Sequence, residues 1–148
     1  MRAILERQIN NDSNSFLKVG DVFETNHPFK TWSAAMADVH ELYDQADQLK
    51  VDGKFEEAIA KYGEILTADP NYALAHAALA VVYGRLGKHD LAIEHARKVC
   101  EIAPQDSFSH TQLSVIYQRA YAGTNNMQFI QDAEEAMARS QMLQQGNP

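Results

Sequence analysis

Three observations predict an all-α fold of repeated helical hairpins. Residues 73–104 carry two successive apolar patterns at helical spacing. The same pattern recurs 34 residues upstream and 34 residues downstream. In the first two copies a Gly-Lys pair (Gly53-Lys54, Gly87-Lys88) separates the patterns and a proline (Pro70, Pro104) closes the unit. A glycine supplies the permissive backbone of a tight turn, and the residue before a proline is disfavoured in the helical region.

Taken in order, residues 1–35 stand outside this register and form an N-terminal extension. Residues 2–8 suggest a short helix, the Asn-rich stretch 10–15 a turn, and residues 16–25 an extended segment. The extension holds Phe16, Phe23, Phe29 and Trp32, four of the seven Phe and Trp residues in the chain. So aromatic a segment is expected to pack on something: the repeats, a second copy or a partner. Residues 36–148 form the repeat domain, with units at about 38–71, 72–105 and 106–145. In the first unit Val39, Leu42, Tyr43, Ala46 and Leu49 mark one helix, and Phe55, Ala58, Ile59, Tyr62, Ile65 and Leu66 the next. In the second, Leu74 to Tyr83 and Leu91 to Ile102 repeat the scheme. The third opens at Asp106, a suitable N-cap. It differs by seven extra residues between Ala120 and Gln131, around Gly123-Thr124-Asn125-Asn126, which predict a longer first helix and a longer loop.

At the 34-residue offset Leu49, Tyr83 and Tyr117 align, as do Ala46, Ala80 and Ser114, then Ala58 with Ala92 and Leu79 with Leu113. Small residues let paired helices approach, and large ones fill the layer between them. These positions resemble the tetratricopeptide repeat, a 34-residue helix-turn-helix, over roughly residues 38–145. The resemblance implies a right-handed α-α superhelix of three units. His76 and His110 stand where the family often has tryptophan, and Ala96 where it has an aromatic.

The resemblance also implies that the first helix of each unit lines a groove that binds a protein or peptide. Carried onto this chain, the groove residues are Tyr43, Asp44, Asp47 and Lys50 in the first unit. They are Ala77, Ala78, Val81 and Arg85 in the second, and Thr111, Gln112, Val115, Gln118 and Arg119 in the third. Such a groove is acidic at one end and apolar in the middle, with Arg85 and Arg119 aligned at one edge. It suits a basic or amphipathic segment with an apolar strip. Some family members clamp the C-terminal carboxylates of chaperones with Lys, Asn and Arg. The matching positions here are Tyr43, Asp47, Ala78, Phe108 and Gln112, so that clamp is missing.

Charge narrows the partners further. The 148-residue chain carries a net charge of −7, and residues 36–70 hold nine acids against three lysines. Such a surface repels phosphate backbones, so no nucleic-acid partner is expected. No apolar run approaches the ~18 residues of a membrane span. The start of the chain lacks the apolar core of a signal peptide, and Cys100 is the only cysteine. A cytoplasmic protein is therefore expected.

Catalytic signals are missing as well. There is no phosphate-binding glycine loop, no metal-spaced Cys or His pair and no Gly-x-Ser-x-Gly. His76 and His110 read as packing residues with satisfied rings, and Cys100 as a small core residue. The expected function is thus a non-catalytic interaction scaffold or adaptor without cofactor or metal. The alternative is a self-associating subunit, or an accessory subunit of a larger complex docked through the N-terminal extension.

Overall fold

Six helices follow one another along the chain in the computed structural model, which describes residues 28–146, with side-chain surroundings from Asp38 onward. They are α1 (Pro28–Val51), α2 (Phe55–Ala68), α3 (Ala73–Arg85), α4 (His89–Ile102), α5 (Ser107–Thr124) and α6 (Gln128–Gln144). There is no strand among the described residues. The elements expected at residues 2–8, 10–15 and 16–25 lie outside the described residues. The first helix begins at Pro28, eight residues before the expected start of the repeat domain at residue 36. Proline suits that first helical position, because its missing N–H has no intrahelical partner there anyway.

The hairpin turns repeat in atomic detail. After α1, the Gly53 N–H donates to Lys50 O at 3.2 Å and the Lys54 N–H to Leu49 O at 2.9 Å. After α3, Gly87 donates to Gly84 O at 3.3 Å and Lys88 to Tyr83 O at 2.9 Å. These are two Schellman caps, each with a glycine in the left-handed region, at φ 77° and 74°. The seven extra residues of the third unit do not lengthen its loop. Three residues (125–127) join α5 to α6, as three (86–88) join α3 to α4. The surplus lies in the helices instead. The five-residue excess of α5 over α3 takes most of it, and the rest precedes Ala133 in α6. Asn125, at φ 58°, then takes the left-handed position.

Small residues sit where helices touch. Ala46, Ala80 and Ser114, aligned at the repeat offset, are 0–3% exposed, and so are Ala58, Ala92 and Ala133. Around them Ile93, Leu113, Ile116 and Tyr117 join α4, α5 and the flanking helices into one apolar core. Tyr62, Ile65 and Val82 are wholly buried. Polar contacts knit α5 to α6: Ser114 Oγ donates to Ala133 O at 2.8 Å, and Ser140 Oγ to Ser107 O at 2.8 Å. Glu41–Pro148 forms one compact unit, and the sites described below lie within it.

The repeat histidines act as anchors. His76 Nε2 lies 2.8 Å from Pro70 O, and His110 Nε2 lies 3.0 Å from Pro104 O. Each ring ties the first helix of its unit to the closing proline of the unit before. The expected N-cap also forms: Asp106 accepts from the Phe108 and Ser109 backbone N–H groups at 3.3 and 3.0 Å. These bonds and one from the Ser109 hydroxyl hold its carboxyl below the usual carboxylate range, the hydroxyl contributing most.

Candidate functional site

Along α5, residues 108, 111, 112, 115 and 119 fall on one helical stripe, because three- and four-residue steps return to the same face. That stripe meets α3 and α4 across an open cavity of about 240 Å³. Ala80, Ala96 and Ile116 make its floor, each no more than 4% exposed. Val81, Thr111, Gln112, Val115 and Arg119 line it as well. Phe108 stands at one end, 65% exposed, and Val115 beside it is 39% exposed. Ala96 replaces the aromatic usual in the family at that place, and its small side chain leaves the floor open. Arg119 makes no ion pair among the described residues.

Five of the thirteen predicted groove residues therefore share one cavity: Val81, Thr111, Gln112, Val115 and Arg119. Thr111 is also tied down, its hydroxyl bonding Ser107 O at 3.1 Å and Ser140 Oγ at 2.7 Å. The other eight lie elsewhere. Ala78 is buried and Ala77 half-buried. Arg85 places its guanidinium 6.0 Å over the Phe55 ring, directed at α2. Gln118 hydrogen-bonds Ser114 Oγ at 3.4 Å and faces α6, lining a cavity of about 390 Å³ with Ile130 and Met137.

The first-unit residues belong to an aromatic and ionic cluster. Tyr43 lies 5.8 Å from the Tyr62 ring and 6.0 Å from the Tyr72 ring. Asp47 accepts a hydrogen bond from Tyr62 at 3.3 Å and pairs with Lys50. Burial, and then the Asp47 charge, push the Tyr43 and Tyr62 hydroxyls above their ordinary range. Asp44 is exposed.

Two features of the fold are not evident from the sequence. Phe108 reads in sequence as one more apolar residue of the third unit's first helix and as a position lacking a clamp residue, yet among the described residues only Val51 is a more exposed large hydrophobic. Its signal was an aromatic residue two places after an N-cap, where helix packing does not demand one. The second is a histidine pair: His76 Nδ1 and His95 Nδ1 lie 2.9 Å apart. Nineteen residues separate them, and only the α3–α4 hairpin brings them together. His95 stacks on Tyr83 at 5.5 Å, and its pKa is lowered by burial and then by His76. The pair opens onto a cavity of about 640 Å³ that also includes Glu94, Arg97, Tyr117 and Phe129. Arg97 donates to the Tyr117 hydroxyl at 2.7 Å. Cys100 rests half-buried against the core, its thiol pushed up to about 11 by burial and by Asp106 and Glu101, so it is held as a thiol rather than a nucleophile.

Paired antiparallel helices, two Schellman turns 34 residues apart and an open apolar groove between first helices define a helical-repeat interaction domain. A family model described as "Tetratricopeptide repeat" matches residues 43–107. Residues 43–107 thus carry the tetratricopeptide repeat, and the fold is that of tetratricopeptide-repeat structures. Among solved structures it is similar to the second tetratricopeptide domain of Spaghetti (RPAP3) bound to the HSP90 peptide SRMEEVD. That similarity has a TM-score of 0.60 and 19% identity, and it covers 75% of this chain and 98% of that one. It is also similar to the MamA RS-1 ArsTM double mutant, with a TM-score of 0.50, 18% identity, and coverage of 95% and 94%. No curated protein matches the chain in sequence. No helix among the described residues is long and apolar enough to cross a membrane.

Proposed function

We propose that the chain is a non-catalytic adaptor that binds an amphipathic segment of a partner protein in the groove between α3 and α5. The observation that carries this reading is the pairing of exposed Phe108 and Val115 with a buried alanine-and-isoleucine floor. An exposed phenylalanine beside an open apolar cavity offers area that a partner side chain can cover. Arg119 at the rim supplies a cation for an acidic group on the segment, whereas the acidic surface of residues 36–70 favours a basic one beyond it.

The similar domain of Spaghetti is bound to an HSP90 peptide. The fold likeness supports a peptide ligand as a class. It does not extend to that peptide, because Tyr43, Asp47, Ala78, Phe108 and Gln112 stand at the clamp positions. Selection of random displayed peptides on the wild-type chain and on Val115→Glu tests the reading. The expected result is apolar, amphipathic peptides enriched on the wild type alone. Equal enrichment on both chains refutes the groove assignment.

A second reading, self-association, has its own observation. Ile130 and Met137 line the cavity beside Gln118 on α6. Under this reading, light scattering shows a concentration-dependent rise in mass that Met137→Glu abolishes. A monomer at all concentrations rejects it.

A further inference from the structure

The histidine pair of the second unit is not required by the repeat. His110 anchors to Pro104 as His76 anchors to Pro70, but the third-unit counterpart of His95 is Ala136. Unit three thus packs with one histidine where unit two carries two.

The hydrogen bonds assign the tautomers. Pro70 O only accepts, so His76 Nε2 carries a hydrogen and its Nδ1 presents a lone pair. His95 Nδ1, 2.9 Å away, donates to that lone pair. A histidine whose far nitrogen donates to a backbone carbonyl is in the orientation and tautomer used for metal ligation. The two Nδ1 atoms also have the right separation. For metal–nitrogen distances of about 2.0–2.1 Å, a 2.9 Å gap subtends an angle of about 90°. With each ring turned so that its Nδ1 lone pair faces a common point rather than its neighbour, that is the bite of two adjacent positions in square-planar or octahedral coordination. Packing sets the ring positions: His76 is 8% exposed, and His95 stacks on Tyr83.

We propose that His76 and His95 form a two-point site for a divalent first-row transition cation, with Ni²⁺ and Cu²⁺ preferred to Zn²⁺. No group of three or more His, Cys, Asp or Glu side chains among the described residues could hold a metal, so water from the adjoining 640 Å³ cavity fills the remaining positions. Proton bookkeeping is simple. The hydrogen on His95 Nδ1 leaves that atom, and solvent returns one to Nε2, so the neutral imidazole changes tautomer with no net proton released. The cavity favours a cation, since Asp90, Glu94 and Glu101 outnumber Arg97 and Lys98, and Lys98 is paired with Glu101. A bound ion would bridge α3 to α4 and brace the central hairpin.

The test is calorimetric titration of the untagged full chain with NiCl₂, with ZnCl₂ in parallel. Wild type is expected to bind one Ni²⁺ per chain, more tightly than Zn²⁺. His95→Ala, whose circular dichroism verifies its fold, is expected to lose at least about tenfold in affinity, the scale of a disrupted metal environment. His110→Ala, which removes an anchor of the same kind from unit three, is expected to bind as wild type does. His76→Ala removes both a ligand and the Pro70 anchor, so His95→Ala is the deciding variant. Absence of saturable Ni²⁺ binding by the wild type overturns the proposal, and so does undiminished binding by folded His95→Ala.

Discussion

Replacing Gly87 with alanine isolates one physical effect. Gly87 sits at φ 74°, and a Cβ built there has nothing within 4 Å. No contact is gained or lost, so the change acts through the backbone alone. A left-handed conformation costs an L-residue about 1–2 kcal/mol. Alanine returns about 0.4–1 kcal/mol by restricting the unfolded chain. The expected loss is about 1 kcal/mol, or about fivefold in the folding equilibrium. With a urea m-value of about 1–1.5 kcal/mol/M, the midpoint falls by about 0.7–1 M. The assay is urea unfolding followed by far-UV circular dichroism. Gly53→Ala is expected to give the same shift, since Gly53 has φ 77° and equally open surroundings. Gly87→Asn is expected to cost less, because asparagine tolerates this conformation and already occupies it at position 125. A Gly87→Ala chain as stable as wild type would refute the argument that the left-handed cap, rather than contacts, demands glycine.

Other outcomes are expected from the same structure. Gly123 lies within α5, where alanine normally gains about 1 kcal/mol, but its Cβ would fall 2.2 Å from His89 Nε2. Gly123→Ala alone is therefore expected to fall short of that gain, and the Gly123→Ala, His89→Ala pair to recover it relative to His89→Ala in a thermal-unfolding cycle. Phe108→Ala is expected to leave stability within about 0.5 kcal/mol, since the ring is 65% exposed, while weakening any groove-bound peptide by tenfold or more. Ile65→Ala, at a wholly buried position, is expected to cost about 2–5 kcal/mol by chemical denaturation.

The Asp106 cap carries a pH signature. Its folded carboxyl pKa is depressed, so its contribution is present above the unfolded-state pKa and is lost as pH falls through the folded value. Asp106→Ala is expected to cost about 1 kcal/mol at pH 7. The gap from wild type should narrow as the solution is acidified below the ordinary aspartate range. A gap constant from pH 7 to pH 2 would show that the ionised cap is not the source.

The local and periodic features follow from short stretches of sequence. Helix type, the 34-residue offset, the left-handed glycines at 53 and 87, the proline stops and the Asp106 cap all depend on a few neighbouring residues, so they are readable one stretch at a time. The small residues at 46, 80 and 114 were readable too, because the offset repeats them. Tertiary structure decided what distant residues share. Gly123-Thr124-Asn125-Asn126 carries turn signals throughout, yet α5 runs through Gly123 and Thr124. The missing side chain at Gly123 allows a close approach to His89, a residue that local pattern does not connect with it. Which residues share the cavity between α3 and α5 was decided the same way. Helical spacing places Val115 and Arg119 on one face, but which way Gln118 turns depends on α6 beside it, and where Arg85 points depends on Phe55. His76 and His95 each look ordinary in sequence. Folding α3 against α4 sets their ring nitrogens 2.9 Å apart, because a helical hairpin joins residues nineteen positions apart that no single period relates.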